Sequence, residues 1–416
     1  MKTLLIEKIG KIFRTDPKYL LNGIFHLSVG QIIVSTSGFI LTLGLVNFLN
    51  QVDYGLYSYI ISIASILTIF TLPGVDTAVT QSISRGFDNI IVQSFWIKLR
   101  WGSLATIVAF IFSFYYLYNN NLILGVSLLI IGIFTPIIYA CTLYVSYFIG
   151  KQQFKKITKD NIFKNVTITL GILFVTYLTQ SVIYTILAYF VLNALISAIR
   201  FFLLFKQINN DIKDSGQHLS LGKHLSVMEA LSLLASHIDK VIIFQTLGAT
   251  QLAIYALALA PVKQLQNISK TLRTLLLPKF ANRSLAELEK TLWYRTGIIF
   301  IFSVLIILAY CFTAPYIFRL VFPVYTESVL YTQVLSTVLL FVPLVLHIQI
   351  LTAHHMKGEL YAINIAKAIS KIIFLIILTP LFGLWGVIFS FIGSQAVSSI
   401  FIIFLLERAC RNQMKL

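Results

Sequence analysis

The residues most able to do chemistry are charged side chains that stand inside long apolar segments. Glu229, Asp239 and Lys240 fall within the apolar stretch 227–247, and Lys263 lies in the stretch that follows it. An ionisable group is costly in hydrocarbon, and such groups normally face the interior of a helix bundle or a water-filled cavity. The spacing of Glu229 and Lys240 places them on one helical face. We therefore expect these residues to line a polar path through a membrane.

Basic residues outnumber acidic ones within and beside the apolar stretches. The acids there are Asp76, Glu229, Asp239 and Glu327, whereas the bases are Arg85, Lys98, Arg100, Lys240, Lys263, Lys270, Arg273, Lys367 and Lys371. A site with this excess attracts an anion, and the two basic side chains suit the oxygens of phosphate or pyrophosphate. Two simpler interpretations stay open. Several of the bases could extend to the membrane interface, and Asp239 with Lys240 could form a structural ion pair.

Metal, cofactor and nucleotide chemistry have little support in the sequence. The adjacent pair His354 and His355 has no carboxylate cluster near it, and no HExxH or P-loop motif is present. Cys141, Cys311 and Cys410 are far apart and form no CxxC pair. We therefore predict no metal site and no cofactor.

The composition is that of a membrane protein. Of the 416 residues, 58% are hydrophobic and only 11% are charged, against about 25% charged residues in a typical soluble domain. Only helices and closed barrels satisfy the backbone hydrogen bonds in hydrocarbon, and the long continuous apolar runs favour helices. The net charge of +17 resides in short breaks between apolar runs, which argues against nucleic-acid binding.

The apolar runs predict about twelve membrane spans. We place them at 26–49, 54–75, 95–118, 122–148, 161–179, 182–205, 227–247, 250–277, 292–313, 328–352, 360–380 and 382–406. Connections rich in Lys and Arg alternate with nearly base-free ones at 51–53, 119–121, 179–181, 248–250 and 382–383. Since basic connections stay in the cytoplasm, the alternation predicts that both termini are cytoplasmic.

A weak internal repeat divides the spans into two sets of six. Val46 to Ile61 overlays Phe244 to Leu259, and Tyr57 falls on Tyr255. The repeat keeps the same orientation, which predicts two six-helix bundles related by a pseudo-two-fold axis along the membrane normal. The predicted organisation is a cytoplasmic segment, a bundle, a cytoplasmic linker, a second bundle and a cytoplasmic tail, at 1–25, 26–205, 206–226, 227–406 and 407–416.

Four segments, in chain order, resemble a known family. They are Gln51 to Ser58, then Pro73 to Gln81 followed by Arg85, then Ile238 to Ile243 with Leu247, Gly248, Tyr255 and Ala258, and finally Phe382 to Val387. This ordered set is similar to the polysaccharide flippases of the multidrug/oligosaccharidyl-lipid/polysaccharide exporter superfamily. No single segment is specific, but the resemblance covers nearly the whole chain.

The resemblance implies a transporter and not an enzyme. Such flippases move undecaprenyl-pyrophosphate-linked oligosaccharides across the bacterial cytoplasmic membrane for O-antigen, capsule or exopolysaccharide synthesis, and a polysaccharide polymerase and a chain-length regulator are implied partners. By position, the substrate-binding cations would be Arg85, Lys240 and Lys263. Asp76, Glu229 and Asp239 are candidates for ion coupling or ion pairing. Lys98, Arg100, Lys270, Lys367 and Lys371 are candidates for a cytoplasmic entrance.

Two other functions stay open at this point. A drug or metabolite exporter of the same superfamily would need buried carboxylates for a cation, and the excess of bases argues against it. A membrane polysaccharide polymerase would be expected to carry a sizeable outer loop, whereas the predicted outer connections are short.

Overall fold

The fold is entirely helical in the part of the chain described by the computed structural model, which comprises residues 17–208, 217–281, 285–353 and 356–413. The first eight helices are α1 Pro17–Phe48, α2 Gln51–Leu67, α3 Gly74–Ser84, α4 Ile90–Tyr118, α5 Leu122–Cys141, α6 Leu143–Gly150, α7 Phe154–Thr179 and α8 Val182–Phe205. The other six are α9 Gln217–Ala281, α10 Leu285–Val321, α11 Ser328–Ser336, α12 Val345–Ala353, α13 Lys357–Phe382 and α14 Leu384–Gln413. Short 3₁₀ turns connect α2 to α3 and both ends of α11 to the neighbouring helices.

Eleven helical segments among these described residues are long and apolar enough to cross a membrane. One of them, Leu225–Gln266, contains predicted spans seven and eight in full or in large part. These spans are separated at Gly248, where φ is 88° and ψ is 177°. Only glycine adopts such a conformation readily, and α9 is therefore two helices that meet at a turn at this residue. Counting its two halves separately reconciles the observed segments with the twelve predicted spans.

The base-free polar turns predicted from the sequence lie at or beside observed helix breaks, and residues 51–53 form the first turn of α2 directly after the break at 49–50. The Asn50 side chain caps α2 by accepting the Asp53 N–H at 2.8 Å, which satisfies a donor at the helix start. Left-handed backbone ends or separates helices at Asn120, Gln180 and Gly383. These turns follow from local chemistry. Asparagine and glycine tolerate positive φ, and the unpaired backbone N–H groups at the start of a helix need acceptors.

Several helices extend further than the predicted membrane spans that they contain. Helix α7 begins at Phe154 and not at 161, so Lys155, Lys156 and Lys159 lie in its first turns. Helix α10 covers Leu285–Val321 where 292–313 was predicted. Residues 217–226 of the predicted linker belong to α9. Residues 1–16 of the predicted N-terminal segment, and the pair His354 and His355, lie outside the described residues.

Within the membrane the helices pack through small residues and hydroxyl groups. Between α4 and α5, the Thr106 hydroxyl donates to the Gly132 carbonyl and the Ser113 hydroxyl to the Gly125 carbonyl, each at 2.7 Å. Helices of a membrane protein gain little from the hydrophobic effect among themselves, and close approach with interhelical hydrogen bonds replaces it.

Contacts divide the described residues into two compact units. One unit is Gly30–Ala253, and the other is made of the described residues that remain at both ends of the chain. The first unit has a core around Val75, Ile90, Leu143, Tyr144 and Phe201. The second has a smaller core around Leu346, Leu351 and Ile363. The predicted division into two bundles near 206–226 stays a prediction.

Gly386 offers a direct test of close helix packing. A Cβ at this position would meet the backbone carbonyl of Leu378, and a backbone group cannot move aside cheaply. Gly386→Ala should therefore lower the free energy of unfolding by about 1–3 kcal/mol, the usual penalty of overpacking, measured by thermal unfolding of the purified protein. Gly297→Ala is the control, since a Cβ there has nothing within 4 Å. An equal loss in both variants would contradict the proposed packing.

Candidate functional site

A buried lysine and a carboxylate form the best-defined charged pair of the first unit. Lys98 Nζ lies 2.7 Å from Asp76 Oδ1, with the lysine side chain 0% and the aspartate side chain 38% exposed. Asp76 lies in the first turn of α3, and Lys98 lies in α4. A buried ammonium needs such a partner, because an isolated charge would lose its hydration without compensation. The predicted entrance residue Lys98 is therefore enclosed, whereas Arg100, also in α4, is exposed.

Helix α9 brings a second carboxylate to this pair. The Gly74 N–H donates to Ser226 Oγ at 3.0 Å, and Gly222 approaches Val75 so closely that a Cβ would lie 3.1 Å from its Cα. Glu229 follows Ser226 by about one helical turn, is exposed, and interacts electrostatically with both Asp76 and Lys98. Two acids of the predicted coupling set are thus joined around one lysine, an association that the sequence did not reveal.

The predicted substrate-binding cations differ in burial and in the compact unit that contains them. Arg85 is exposed at the C-terminal end of α3. Lys240 is half-buried in α9, and its backbone N–H donates to Asp239 Oδ1 at 2.9 Å while Asp239 is buried. Lys263 is exposed and belongs to the second unit. Their shared role stays a prediction.

The remaining predicted entrance residues differ in burial. Lys371 is buried in α13 with its ammonium 5.4 Å from the centre of the Phe391 ring, an arrangement typical of cation–π contacts. Lys367 is half-buried on the same helix. The side chain of Lys270 lies outside the described part of the chain.

A second charged cluster in the first unit was missed by the sequence analysis. Arg200 Nη1 of α8 lies 2.9 Å from Asp160 Oδ1 of α7. Close to this pair, Lys164 Nζ donates to Ser197 Oγ at 2.9 Å. Asp160 falls just outside the predicted span, which begins at 161. The available signal was the spacing of Asp160 and Lys164, which share one helical face.

Polar contacts also join α2, α4 and α9 at the end of α4 that lies away from Lys98. The hydroxyl oxygens of Tyr59 and Tyr116 lie 2.8 Å apart, and Gln245 Nε2 donates to them at 2.8 and 3.2 Å. The Tyr59 ring stacks on Phe244 with centroids 3.8 Å apart. We name these four residues the tyrosine–glutamine clasp. It joins α2, α4 and α9 at the far end of α4 from Lys98.

Metal binding has no support in the described residues. Among residues 17–208, 217–281, 285–353 and 356–413, no group of three or more His, Cys, Asp or Glu side chains is placed to hold a metal ion.

Solved structures with the same fold cover almost the whole chain. An outward-facing multidrug resistance MATE family transporter of the MOP superfamily is 16% identical with a TM-score of 0.64, covering 97% of this chain and 98% of its own. An inward-facing one is 14% identical with a TM-score of 0.66, covering 94% and 99%. A MOP superfamily transporter from Pyrococcus furiosus, described as having a binding pocket of reverse polarity, is 15% identical with a TM-score of 0.66, covering 96% and 97%. The predicted fold class is confirmed: the chain is an all-α multi-pass membrane protein of two six-helix bundles.

Comparison with curated protein sequences gives no match. The sequence profile of the family described as "Polysaccharide biosynthesis protein" matches residues 20–283, which is more than half of the chain. The chain therefore belongs to the polysaccharide biosynthesis protein family and has the fold of MATE-type transporters.

Proposed function

We propose that the protein is a flippase that carries polyprenyl-pyrophosphate-linked oligosaccharide repeat units across the bacterial cytoplasmic membrane. The observation that carries the proposal is the excess of basic over acidic residues within the membrane-spanning segments of a polysaccharide biosynthesis family member. A net excess of positive charge in the spans favours an anionic ligand, and pyrophosphate is the anion of lipid-linked glycans. The termini are cytoplasmic in this proposal.

Only the polar head group needs the protein. Each methylene of the polyprenyl tail that stays in lipid avoids about 0.8 kcal/mol of exposure to water. The tail therefore remains in the bilayer while the pyrophosphate contacts Arg85, Lys240 and Lys263 during transport. The excess of cations offsets the cost of moving the doubly charged head group out of the water on one side of the membrane.

The sidedness of lipid-linked oligosaccharide in a deletion strain tests the proposed function. Without the gene, completed repeat units should accumulate on the cytoplasmic face, where enzymes added outside spheroplasts cannot reach them. The intact gene should restore access. Normal sidedness with single unpolymerised units would instead identify a polymerase.

Loss of the predicted cations should reduce transport in the same strain. Lys240→Ala and Lys263→Ala should each slow the appearance of lipid-linked units outside by about tenfold, the effect of losing one charge-assisted contact of about 1.4 kcal/mol. Arg319→Ala, at the end of α10, is the control and should transport normally. If both lysine variants transported at the rate of the natural protein, this assignment of the substrate-binding cations would be wrong.

A cation-coupled drug or metabolite exporter is the second candidate. It is favoured by the two carboxylates Asp76 and Glu229 around Lys98, since an acidic pair can bind a cation. Resistance to cationic dyes, lost on deletion while lipid-linked glycans keep normal sidedness, would support this candidate over the flippase.

A further inference from the structure

Two polar contacts join α7 to α8 inside the membrane-spanning segments, and we name them the two rungs. Asp160 pairs with Arg200 at 2.9 Å, and Lys164 bonds to Ser197 at 2.9 Å. Both helices qualify as membrane spans over Phe154–Thr179 and Val182–Phe205. Lys164 lies ten residues into α7, about 15 Å at the rise of an α-helix. Nearly three helical turns therefore separate Lys164 from the start of α7, and it lies beyond the lysine-rich first turns of the helix.

The two rungs carry more positive than negative charge. Asp160 is the carboxylate that contacts Arg200, and Lys164 donates to the neutral Ser197 hydroxyl. An ammonium has three donors and a guanidinium five, so both cations keep donors for a further acceptor. The neighbouring Tyr144, which interacts electrostatically with Asp160 and Arg200, adds no positive charge. The cluster therefore has the net positive charge and the remaining N–H donors that binding of an anion requires.

The burial of the three charged groups is graded. The Asp160 side chain is 9% exposed, the Arg200 side chain is 30% exposed, and Lys164 is half-buried. Asp160 Oδ2 is buried and has no hydrogen-bond partner among the described residues. The carboxylate thus contacts Arg200 through one oxygen, and the guanidinium is more exposed than the carboxylate.

We propose that Lys164 and Arg200 form an oxyanion subsite that binds the pyrophosphate of the lipid-linked substrate, with Asp160 as an internal counter-ion that competes for Arg200. The inference rests on the proposed function and adds residues outside the predicted set of cations. In the empty state Asp160 keeps the guanidinium in place. When pyrophosphate binds, the guanidinium is shared between two anions, and the carboxylate limits the affinity so that the head group can leave.

Binding of geranylgeranyl pyrophosphate to the purified, full-length protein in detergent tests the subsite. Lys164→Gln and Arg200→Gln should each weaken binding by about tenfold, the loss of one charge-assisted contact. Asp160→Asn should tighten binding several-fold, because it removes the competing anion. Lys206→Gln, an exposed residue just after α8, is the control and should bind as the natural protein does. The double variant Arg200→Gln with Asp160→Asn leaves no buried unpaired charge and should still bind weakly.

Three results would overturn the subsite. Weaker binding in Asp160→Asn would mean that the rungs serve only to hold α7 against α8. Unchanged binding in both Lys164→Gln and Arg200→Gln would place the pyrophosphate elsewhere. Inorganic pyrophosphate binding as tightly as the geranylgeranyl form, with the same response to the variants, would identify a site for the free anion and not for a lipid head group.

The proposed function and the subsite fail separately. If Lys164→Gln with Arg200→Gln restored the sidedness of lipid-linked units fully in the deletion strain, the flippase would stand and the subsite would fall. If the natural gene itself did not restore sidedness, the flippase would fall whatever the binding measurements showed.

Discussion

Replacing Asp76 by asparagine should lower the free energy of unfolding by about 3 kcal/mol, the lower end for loss of one partner of a buried ion pair. The reason is the asymmetry of the pair, in which Lys98 is fully buried while Asp76 is 38% exposed. Without the carboxylate, the ammonium stays in a site that offers no hydration. The nearby charge of Glu229 compensates in part, which places the expected loss at the lower end. Chemical or thermal unfolding of the purified protein measures it.

The reverse truncation and a pair in which both side chains are partly exposed are matched controls. Lys98→Met should be milder than Asp76→Asn, because the remaining carboxylate is reached by water, and the double variant should recover most of the lost stability. Asp88→Asn breaks the pair of Asp88 with Lys151, which has a similar distance of 2.8 Å but side chains 28% and 32% exposed. It should cost no more than about 1 kcal/mol. Equal losses in Asp76→Asn and Asp88→Asn would show that burial of Lys98 does not decide the energy.

The membrane spans were predictable because they depend on local properties. Apolar length defines a span, and the residues that end one are recognisable by type, as with Asn50 capping α2 and glycine at positions 248 and 383. Helix extension beyond the apolar core was not predictable in this way. Residues 154–160 of α7 are rich in lysine, and their helical state depends on tertiary contacts, such as the Asp160–Arg200 pair, that hydropathy does not record.

The partners of the charged residues were the least predictable part of the site. Lys98 and Asp76 are 22 residues apart in sequence, and Gly74 contacts Ser226 across 152 residues. No periodicity connects such positions, since their proximity is fixed by how helices pack. The sequence therefore places Lys98 at the membrane interface, whereas its burial depends on a partner on another helix.

Cross-linking α4 to α9 at the tyrosine–glutamine clasp should abolish transport. Tyr116 and Gln245 contact each other at 3.2 Å, and cysteines at these positions can be joined by a short bifunctional thiol reagent. An alternating transporter must separate helices at one end and then at the other. The predicted topology places this end of α4 and α9 at the outer face. A covalent link here should strand lipid-linked units on the cytoplasmic side, and the sidedness assay measures this.

Each cysteine alone, treated with the same reagent, is the control that separates cross-linking from the loss of the side chains. Cys141, Cys311 and Cys410 are first replaced by alanine, so that the reagent has no other target. A reducible reagent adds a second comparison, because transport should return when the link is broken in the same cells. Full transport with quantitative cross-linking would mean that α9 stays on α4 throughout the cycle. The parting of helices would then have to occur elsewhere, and the clasp would be a fixed structural contact, its Tyr59 and Phe244 rings included.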